Sequence, residues 1–118
     1  MGFKLQINEV DAYLSIKAIG SYTLPDLRDF LDRAAEEAEK RGYRPVLLDI
    51  YEVTGSVPIL DMFELGEHCA SVWNRRIRVA ILTRDGGLDK FFENVARNRG
   101  IALTIVPNQD SALAWLRI

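Results

Sequence analysis

The chain has 118 residues, of which 48% are hydrophobic and 27% are charged, and its formal net charge is -2. This length and balance are typical of a folded globular domain and exclude an intrinsically disordered chain. The small and evenly spread charge argues against a nucleic-acid partner, because nucleic-acid-binding surfaces usually carry a dense basic face. We therefore expect a single domain over residues 1–118.

Cysteine content and the N-terminal pattern indicate a reducing, cytoplasmic setting. Cys69 is the only cysteine and cannot form an internal disulfide. His68 is the only histidine, so no zinc constellation is expected, and we predict no metal and no cofactor. The first ten residues alternate in polarity instead of forming a signal peptide, and no apolar run reaches membrane-spanning length.

Two alternating segments begin the chain, and a helical pattern follows them. Residues 3–8 and 13–18 alternate apolar and polar side chains, which predicts an antiparallel hairpin with one buried face. From Thr23 to Ala38 the apolar spacing changes to three and four residues, which predicts a helix. We predict Thr23 as the N-cap of this helix and Gly42 as its left-handed end.

Three short apolar runs occupy the rest of the chain, and helical patterns separate them. The runs cover residues 46–50, 77–83 and 101–106. Short apolar strands that alternate with single helices favour parallel pairing through crossover connections. We therefore predict an α/β protein with a mixed sheet of four or five strands, an N-terminal antiparallel hairpin followed by parallel strands, and about four helices.

The predicted sheet places its candidate ligand site at one edge. Loops that leave the carboxyl ends of parallel strands lie along the same edge, where ligands bind in folds of this type. The starts of the following helices would favour an anion there. We find no catalytic nucleophile and base pair in the pattern. The predicted ligand-binding residues are Tyr51, Thr54, Gly55, Ser56, Arg84 and Asn108.

Ser56 has two alternative roles, as a helix cap or as a residue on which chemistry acts. Gly55 and Ser56 precede Val57 and Pro58, as in a tight turn from a strand into a helix. The capping role is favoured, because serine is a frequent N-cap residue.

The second helical pattern, residues 59–73, carries more apolar side chains than one buried stripe needs. Its predicted core stripe includes Ile59 and Phe63. An exposed part of the wide apolar arc would contact a second copy, a partner protein, an acyl chain or a membrane, and deeper burial is the alternative. The residues predicted for this contact are Leu60, Leu65 and Val72. The arginines that follow would either meet lipid head groups or solvate the start of a strand: Arg75, Arg76 and Arg78.

Several stretches resemble the SpoIIAA-like proteins, a branch of the STAS fold that is also grouped with CRAL-TRIO lipid-transfer domains. These stretches are LLDIYEVTG, DMFELGEH, RVAIL, FFENVARNRG and SALAWL, and they extend over most of the chain. The resemblance implies a STAS-like sheet with a helical layer and a non-enzymatic binding or regulatory function.

The same resemblance implies two different functions. In anti-sigma-factor antagonists of the STAS fold, a partner kinase phosphorylates a serine in an Asp-Ser-Ser-Gly type turn. The corresponding residues here, 53–58, lack the Asp and the second Ser, so Ser56 or Thr54 is a candidate by position alone. The lipid-transfer similarity instead implies a pocket for a small amphipathic or acyl ligand at a membrane surface. Our leading prediction is a binding module for a partner protein or such a ligand, and a phosphorylation-controlled antagonist is the alternative.

Overall fold

Five strands and four helices form from these patterns in a computed structural model, which describes residues 2–118. In chain order they are β1 (Lys4–Val10), β2 (Tyr13–Ser21), α1 (Leu24–Arg41), β3 (Pro45–Thr54), α2 (Ile59–Val72), β4 (Arg78–Leu82), α3 (Lys90–Asn98), β5 (Ala102–Val106) and α4 (Gln109–Leu116). The predicted α/β class and element order are confirmed.

The strands of the described residues form one sheet in sequence order, from β1 to β5. β1 and β2 make the antiparallel hairpin, and every later pair is parallel. The carboxyl ends of β2, β3, β4 and β5 therefore lie along one edge of the sheet. We call this edge the carboxyl rim, and it comprises the loops that follow Ser21, Thr54, Leu82 and Val106. The opposite edge, which we call the amino edge, comprises the loops that precede Pro45, Arg78 and Ala102.

Helices cover both faces of the sheet, but unequally. α1, α2 and α3 pack on one face, where Leu48 of β3 and Phe92 of α3 belong to the main core. α4 packs on the other face, where Leu116 joins Leu47 of β3 in a smaller cluster. Successive side chains of a strand point to opposite faces of the sheet, and helices cover both faces of β3. Its side chains are therefore buried on both faces, which is why β3 is a continuous apolar run in the sequence.

Side-chain caps begin three of the helices. Thr23, Asp89 and Asn108 each accept a hydrogen bond from a backbone N–H of the first helical turn, at 2.8 to 3.1 Å. The N-cap of α2 is Pro58, whose side chain accepts no hydrogen bond. The prediction that Ser56 caps this helix is therefore wrong, because the helix begins further along the chain than a Ser56 cap requires.

The buried stripe of α2 also differs from the predicted one. Leu65 has no exposed surface and lies in the main core with Met62 and Cys69, whereas Ile59 and Phe63 are 62% and 41% exposed. The prediction that Leu65 forms an outer contact is therefore wrong. Both sets of residues are spaced at three or four positions, so periodicity alone could not choose between them.

Candidate functional site

The candidate site is a cleft at the carboxyl rim, where the loops after β3, β4 and β5 meet. The Val57 N–H donates to the Gly86 carbonyl at 2.9 Å, which ties the first loop to the second. The Thr83 N–H donates to the Val106 carbonyl at 3.2 Å, which ties the second loop to the end of β5. Gly86 has a φ of 88°, a left-handed conformation that favours glycine. Backbone hydrogen bonds therefore set the relative positions of the three loops.

The cleft has a volume of about 790 Å³. Its lining combines apolar side chains from beneath with polar side chains from the loops, and includes Tyr51, Ser56, Met62, Arg84, Asp89 and Ile105. Gly87 also lines it, and a Cβ at this position would lie only 2.2 Å from the Thr83 Oγ1. The loop after β4 therefore needs a glycine there to fold closely over the end of the strand.

Three of the predicted ligand-binding residues meet at this cleft. Tyr51, Ser56 and Arg84 all line it. Tyr51 is 48% exposed, and the Ser56 Oγ lies beside Gly86. Ligand binding by these residues stays a prediction, but the parallel strands bring them together as expected.

The other three predicted residues lie near the cleft and have structural roles. The Thr54 Oγ1 donates to the Gly20 carbonyl at 3.2 Å and ties the end of β3 to β2. Gly55 has a φ of 97° and lies against Tyr22, where the chain turns away from the sheet. Asn108 caps α4. Their side chains or backbone are engaged in turns and caps, and none of them lines the cleft.

Exposed apolar side chains lie at the rim end of α2 and α3. Ile59, Leu60 and Phe63 of α2 are 62%, 80% and 41% exposed, and Phe91 of α3 is 39% exposed. We call these four residues the apolar rim patch. Single exposed apolar residues are ordinary, but a group of large ones beside a cleft is typical of an interaction surface. The sequence pattern assigned Ile59 and Phe63 to the buried stripe of α2.

Val72, the remaining predicted contact residue, lies at the other end of α2. It is 39% exposed, but twelve residues separate it from Leu60, which corresponds to roughly 18 Å along a helix. Val72 therefore does not extend the apolar rim patch.

Neither His68 nor Cys69 lies at the cleft. The His68 Nε2 lies 2.6 Å from the Asp32 Oδ1, on the surface between α1 and α2. His68 is nine residues past the start of α2, roughly 13 Å along the helix. Burial raises the pKa of the Cys69 thiol well above its ordinary value of 9.0, which disfavours a reactive thiolate.

A hydrogen bond from the loop after β2 holds the first turn of α2. The Tyr22 hydroxyl donates to the Asp61 Oδ2 at 2.8 Å. Partial burial, and then this carboxylate, raise the pKa of Tyr22 above its ordinary value of 10.0, so the hydroxyl keeps its proton and the donor role. The contact orients the polar side of the turn inward and leaves Leu60 facing outward.

Arg84 is the cation of the cleft that remains available to an anion. The Lys90 Nζ pairs with the Glu93 Oε2 at 3.2 Å, whereas the described residues place no carboxylate oxygen within 4 Å of the Arg84 side chain. Across residues 2–118, no cluster of three or more His, Cys, Asp or Glu side chains could hold a metal ion. The helices described here are too short or too polar to cross a membrane.

Comparison with known proteins defines the fold. No protein-family model matches the chain, and no curated protein sequence is significantly similar to it. An anti-sigma factor antagonist from Mycobacterium paratuberculosis matches with a TM-score of 0.65 and 11% identity, over 99% of this chain and 96% of the other. An uncharacterised DUF3478-family protein with a SpoIIAA-like fold, from Shewanella loihica, matches with a TM-score of 0.54 and 26% identity, over 98% of this chain and 94% of the other.

The chain therefore has a SpoIIAA-like fold of the STAS type. The predicted architecture and the predicted resemblance are both confirmed at the level of the fold. The structural neighbours are a regulatory protein by name and a protein without an assigned function.

Proposed function

We propose that the protein is a non-enzymatic regulatory module that binds a partner protein at the carboxyl rim. The observation that carries this proposal is that an open cleft and the four exposed side chains of the apolar rim patch lie at the same end of the sheet. Interaction sites commonly combine a few large apolar anchors with a polar surround, which is the composition found here. The structural likeness to an anti-sigma factor antagonist supports a regulatory function that depends on a protein partner.

The apolar rim patch can supply most of the binding energy in this proposal. Burying a fully exposed Leu, Ile or Phe side chain contributes roughly 1.5 to 3 kcal/mol. Leu60 and Ile59 are the most exposed members, so a partner that covers them gains the most. The polar loops around Arg84 then provide specificity through hydrogen bonds and charge.

The absence of enzymatic activity is part of the same proposal. Ser56 at the cleft has no histidine beside it, since His68 pairs with Asp32 between α1 and α2. An isolated serine hydroxyl is a weak nucleophile without an adjacent base. The proposal includes no cofactor, and it keeps the cytoplasmic setting expected for a chain whose single cysteine, Cys69, is buried as a free thiol.

A charge placed in the apolar rim patch tests the proposal. The immobilised wild-type protein, Leu60→Asp and the control Val10→Asp are exposed to extract of the cells that produce the protein, and retained proteins are quantified by mass spectrometry. Val10 is 38% exposed at the end of β1, away from the carboxyl rim. We expect one partner to be retained by the wild type and the control. Direct titration of the purified partner should show that Leu60→Asp weakens binding about 30-fold or more, the loss typical of an interface anchor.

Two results would contradict this assignment. One is a partner that binds all three proteins equally, which would place the contact elsewhere. The other is a native mass spectrum that shows a dimer or a bound amphipathic small molecule in the wild type and not in Leu60→Asp, because the occupant of the patch would then not be a partner protein.

Phosphorylation of Ser56 is a second candidate function, and one observation favours it. The Ser56 side chain does not cap α2 and instead lies exposed at the cleft with Arg84. A phosphate there would add a charge of about -1.5 to -2 next to the available arginine and would change how the rim binds its partner. Candidate kinases should transfer phosphate to Ser56 but not to a Ser56→Ala variant, and Thr54→Ala serves as the matched control. Peptide maps without phosphate on Ser56 would remove this function.

A further inference from the structure

Arginine side chains gather at the amino edge of the sheet, opposite the carboxyl rim. They come from the loop before β3, the loop before β4, the first residue of β4 and the residue after α4, namely Arg44, Arg75, Arg76, Arg78 and Arg117. Within residues 2–118, no carboxylate oxygen lies within 4 Å of any of these guanidinium groups. Many other cations are paired, such as Arg28 with Glu64 and Arg99 with Glu67.

A cleft of about 450 Å³ opens at this edge, and we call it the amino-edge cleft. Its charged and aromatic lining consists of Arg78, Arg97, Arg117 and Trp115, and no acidic side chain lines it. The Arg97 Nη1 lies 3.7 Å from the Glu93 Oε2, so Arg97 is partly neutralised from the helix side. The cleft therefore has at least two arginines with unopposed charge.

The Arg78 side chain is held in place before any ligand arrives. Its Cζ lies 4.0 Å from the centre of the Trp115 ring, and its Nη2 donates to the Trp115 carbonyl at 2.7 Å. Stacking on an aromatic ring and a backbone hydrogen bond together restrict the planar guanidinium to one orientation. A pre-ordered cation loses less conformational entropy on binding an anion than a mobile surface side chain does.

The amino edge is basic, although the chain as a whole is acidic. Residues 1–69 contain seven Lys or Arg and thirteen Asp or Glu, whereas residues 70–118 contain eight and four. Arg117 reaches the cleft although it belongs to neither neighbouring strand, because α4 runs back across the sheet and ends there in a left-handed residue with a φ of 64°. The fold therefore concentrates positive charge at one place on a protein of net charge -2.

We propose that the amino-edge cleft binds a phosphate group. The guanidinium fork matches the geometry of phosphate oxygens and can bind them in a bidentate manner. A phosphate monoester carries close to two negative charges and can therefore engage Arg78 and Arg117 together, which a single carboxylate does less well. A soluble phosphorylated molecule and the head group of an anionic phospholipid share this chemistry. The site is separate from the carboxyl rim and does not depend on the function proposed for it.

Titration with inorganic pyrophosphate at low ionic strength tests the proposal. Calorimetry measures affinity, and an NMR spectrum follows the indole N–H of Trp115, a residue that lines the cleft, separately from that of the buried Trp73. We expect saturable binding to one site that shifts the Trp115 signal. Arg78→Gln and Arg117→Gln should each weaken binding about tenfold, the effect of losing one charge-assisted hydrogen bond.

Lys4→Gln is the matched control, because it removes the same charge from an exposed residue of β1, the edge strand farthest from β5. It should change pyrophosphate affinity less than about twofold, since exposed charges at long distance are screened. Arg117→Gln leaves the stack of Arg78 on Trp115 in place, so it stays informative even where Arg78→Gln disturbs folding. Partner binding at the carboxyl rim should be unchanged in Arg117→Gln, which separates this site from the proposed function.

Sedimentation with vesicles of phosphatidylglycerol and phosphatidylcholine distinguishes the two sources of phosphate. Vesicle binding that is lost in Arg117→Gln but kept in Lys4→Gln assigns a lipid head group, and pyrophosphate binding without vesicle binding assigns a soluble ligand. The proposal is overturned when neither probe binds, or when Lys4→Gln weakens binding as much as Arg117→Gln does.

Discussion

Helices α2 and α3 lie side by side on the same face of the sheet, yet they begin in different ways. α3 starts at the capping carboxylate of Asp89. α2 starts after Pro58 without a side-chain cap, and its first residues, Ile59 and Leu60, are mostly exposed. A side-chain cap therefore fixes the first turn of α3, whereas the first turn of α2 has no such cap and carries Ile59 and Leu60, the two most exposed members of the apolar rim patch.

A buried carboxylate accounts for the attachment of α3 to the sheet. The Glu93 Oε1 accepts hydrogen bonds from the Ile105 N–H at 2.7 Å and the Thr104 Oγ1 at 3.1 Å. β5 is an edge strand, and Glu93 thereby covers an N–H that would otherwise face outward. Burial alone would raise the pKa of Glu93, but hydrogen bonds from Ile105, Lys90 and Thr104 outweigh it, so the pKa lies below its ordinary value.

Close packing against α3 holds the second half of α2. A Cβ added at Gly66 would lie 2.7 Å from the Val95 Cγ1 of α3. This distance is below van der Waals contact, so the two helices approach as closely as they do only because residue 66 is glycine. The following predictions test the contrast between the two helices.

The two sides of α2 should respond very differently to loss of a leucine side chain. Leu65→Ala should lower the free energy of unfolding by about 3 kcal/mol, because it removes buried apolar surface and leaves a cavity. Leu60 is 80% exposed, and Leu60→Ala should change the free energy by less than about 0.5 kcal/mol. Urea denaturation followed by circular dichroism measures both values. Similar losses in the two variants would contradict the observed orientation of α2, in which Leu65 faces the core and Leu60 faces outward.

The contact between α2 and α3 should not tolerate an added methyl group. Gly66→Ala should destabilise the protein by about 2 kcal/mol, since the new Cβ overlaps Val95 and the helices must move apart. Val95→Ala in the same chain should recover part of this loss, which a double-mutant cycle would measure. Gly2→Ala is the control, because its added Cβ meets nothing within 4 Å. Equal stability of Gly66→Ala and the control would show that the helices are not in close contact.

The attachment of α3 should depend on pH. Glu93→Gln should cost about 1 to 2 kcal/mol at neutral pH, because it weakens charge-assisted hydrogen bonds. The pKa of Glu93 is lowered by folding from 4.5, so its stabilising effect is present above about pH 5 and is lost as the pH falls through the lower folded value. The stability difference between wild type and Glu93→Gln should therefore shrink in acid, whereas Glu36→Gln, exposed on α1, should show little difference at any pH. A difference that persists in acid would rule out the carboxylate as its cause.

The starts of the two helices should differ in their need for a polar side chain. Asp89→Ala should destabilise the protein by about 1 kcal/mol, the usual cost of losing an N-cap. Ser56→Ala should change stability by no more than about 0.3 kcal/mol, since exposed side chains outside special contacts contribute little. Thermal unfolding of both variants provides the measurement. A loss in Ser56→Ala as large as that in Asp89→Ala would restore the capping role of Ser56.

Local patterns predicted the elements well because they depend on backbone geometry. Alternation in residues 3–8 and 13–18 corresponds to β1 and β2, and Thr23 and Gly42 bound α1 as expected. The candidate site was predicted in part, since Tyr51 near the carboxyl end of β3, Ser56 after β3 and Arg84 after β4 reach one cleft because these strands are parallel. Thr54, Gly55 and Asn108 follow the same strands, but the fold uses them for turns and caps, which residue type alone does not reveal.

The amino-acid sequence by itself determined which segments are strands or helices and that the later strands run parallel, because hydrophobic periodicity and short helical connections are local properties. Only the tertiary structure decided that Leu65 faces the core while Ile59 and Phe63 face outward. Periodicity defines rows of residues on a helix, whereas packing against neighbouring elements decides which row turns inward. The convergence of Arg78 and Arg117 on one cleft likewise depends on the path of α4 across the sheet, which no local pattern contains.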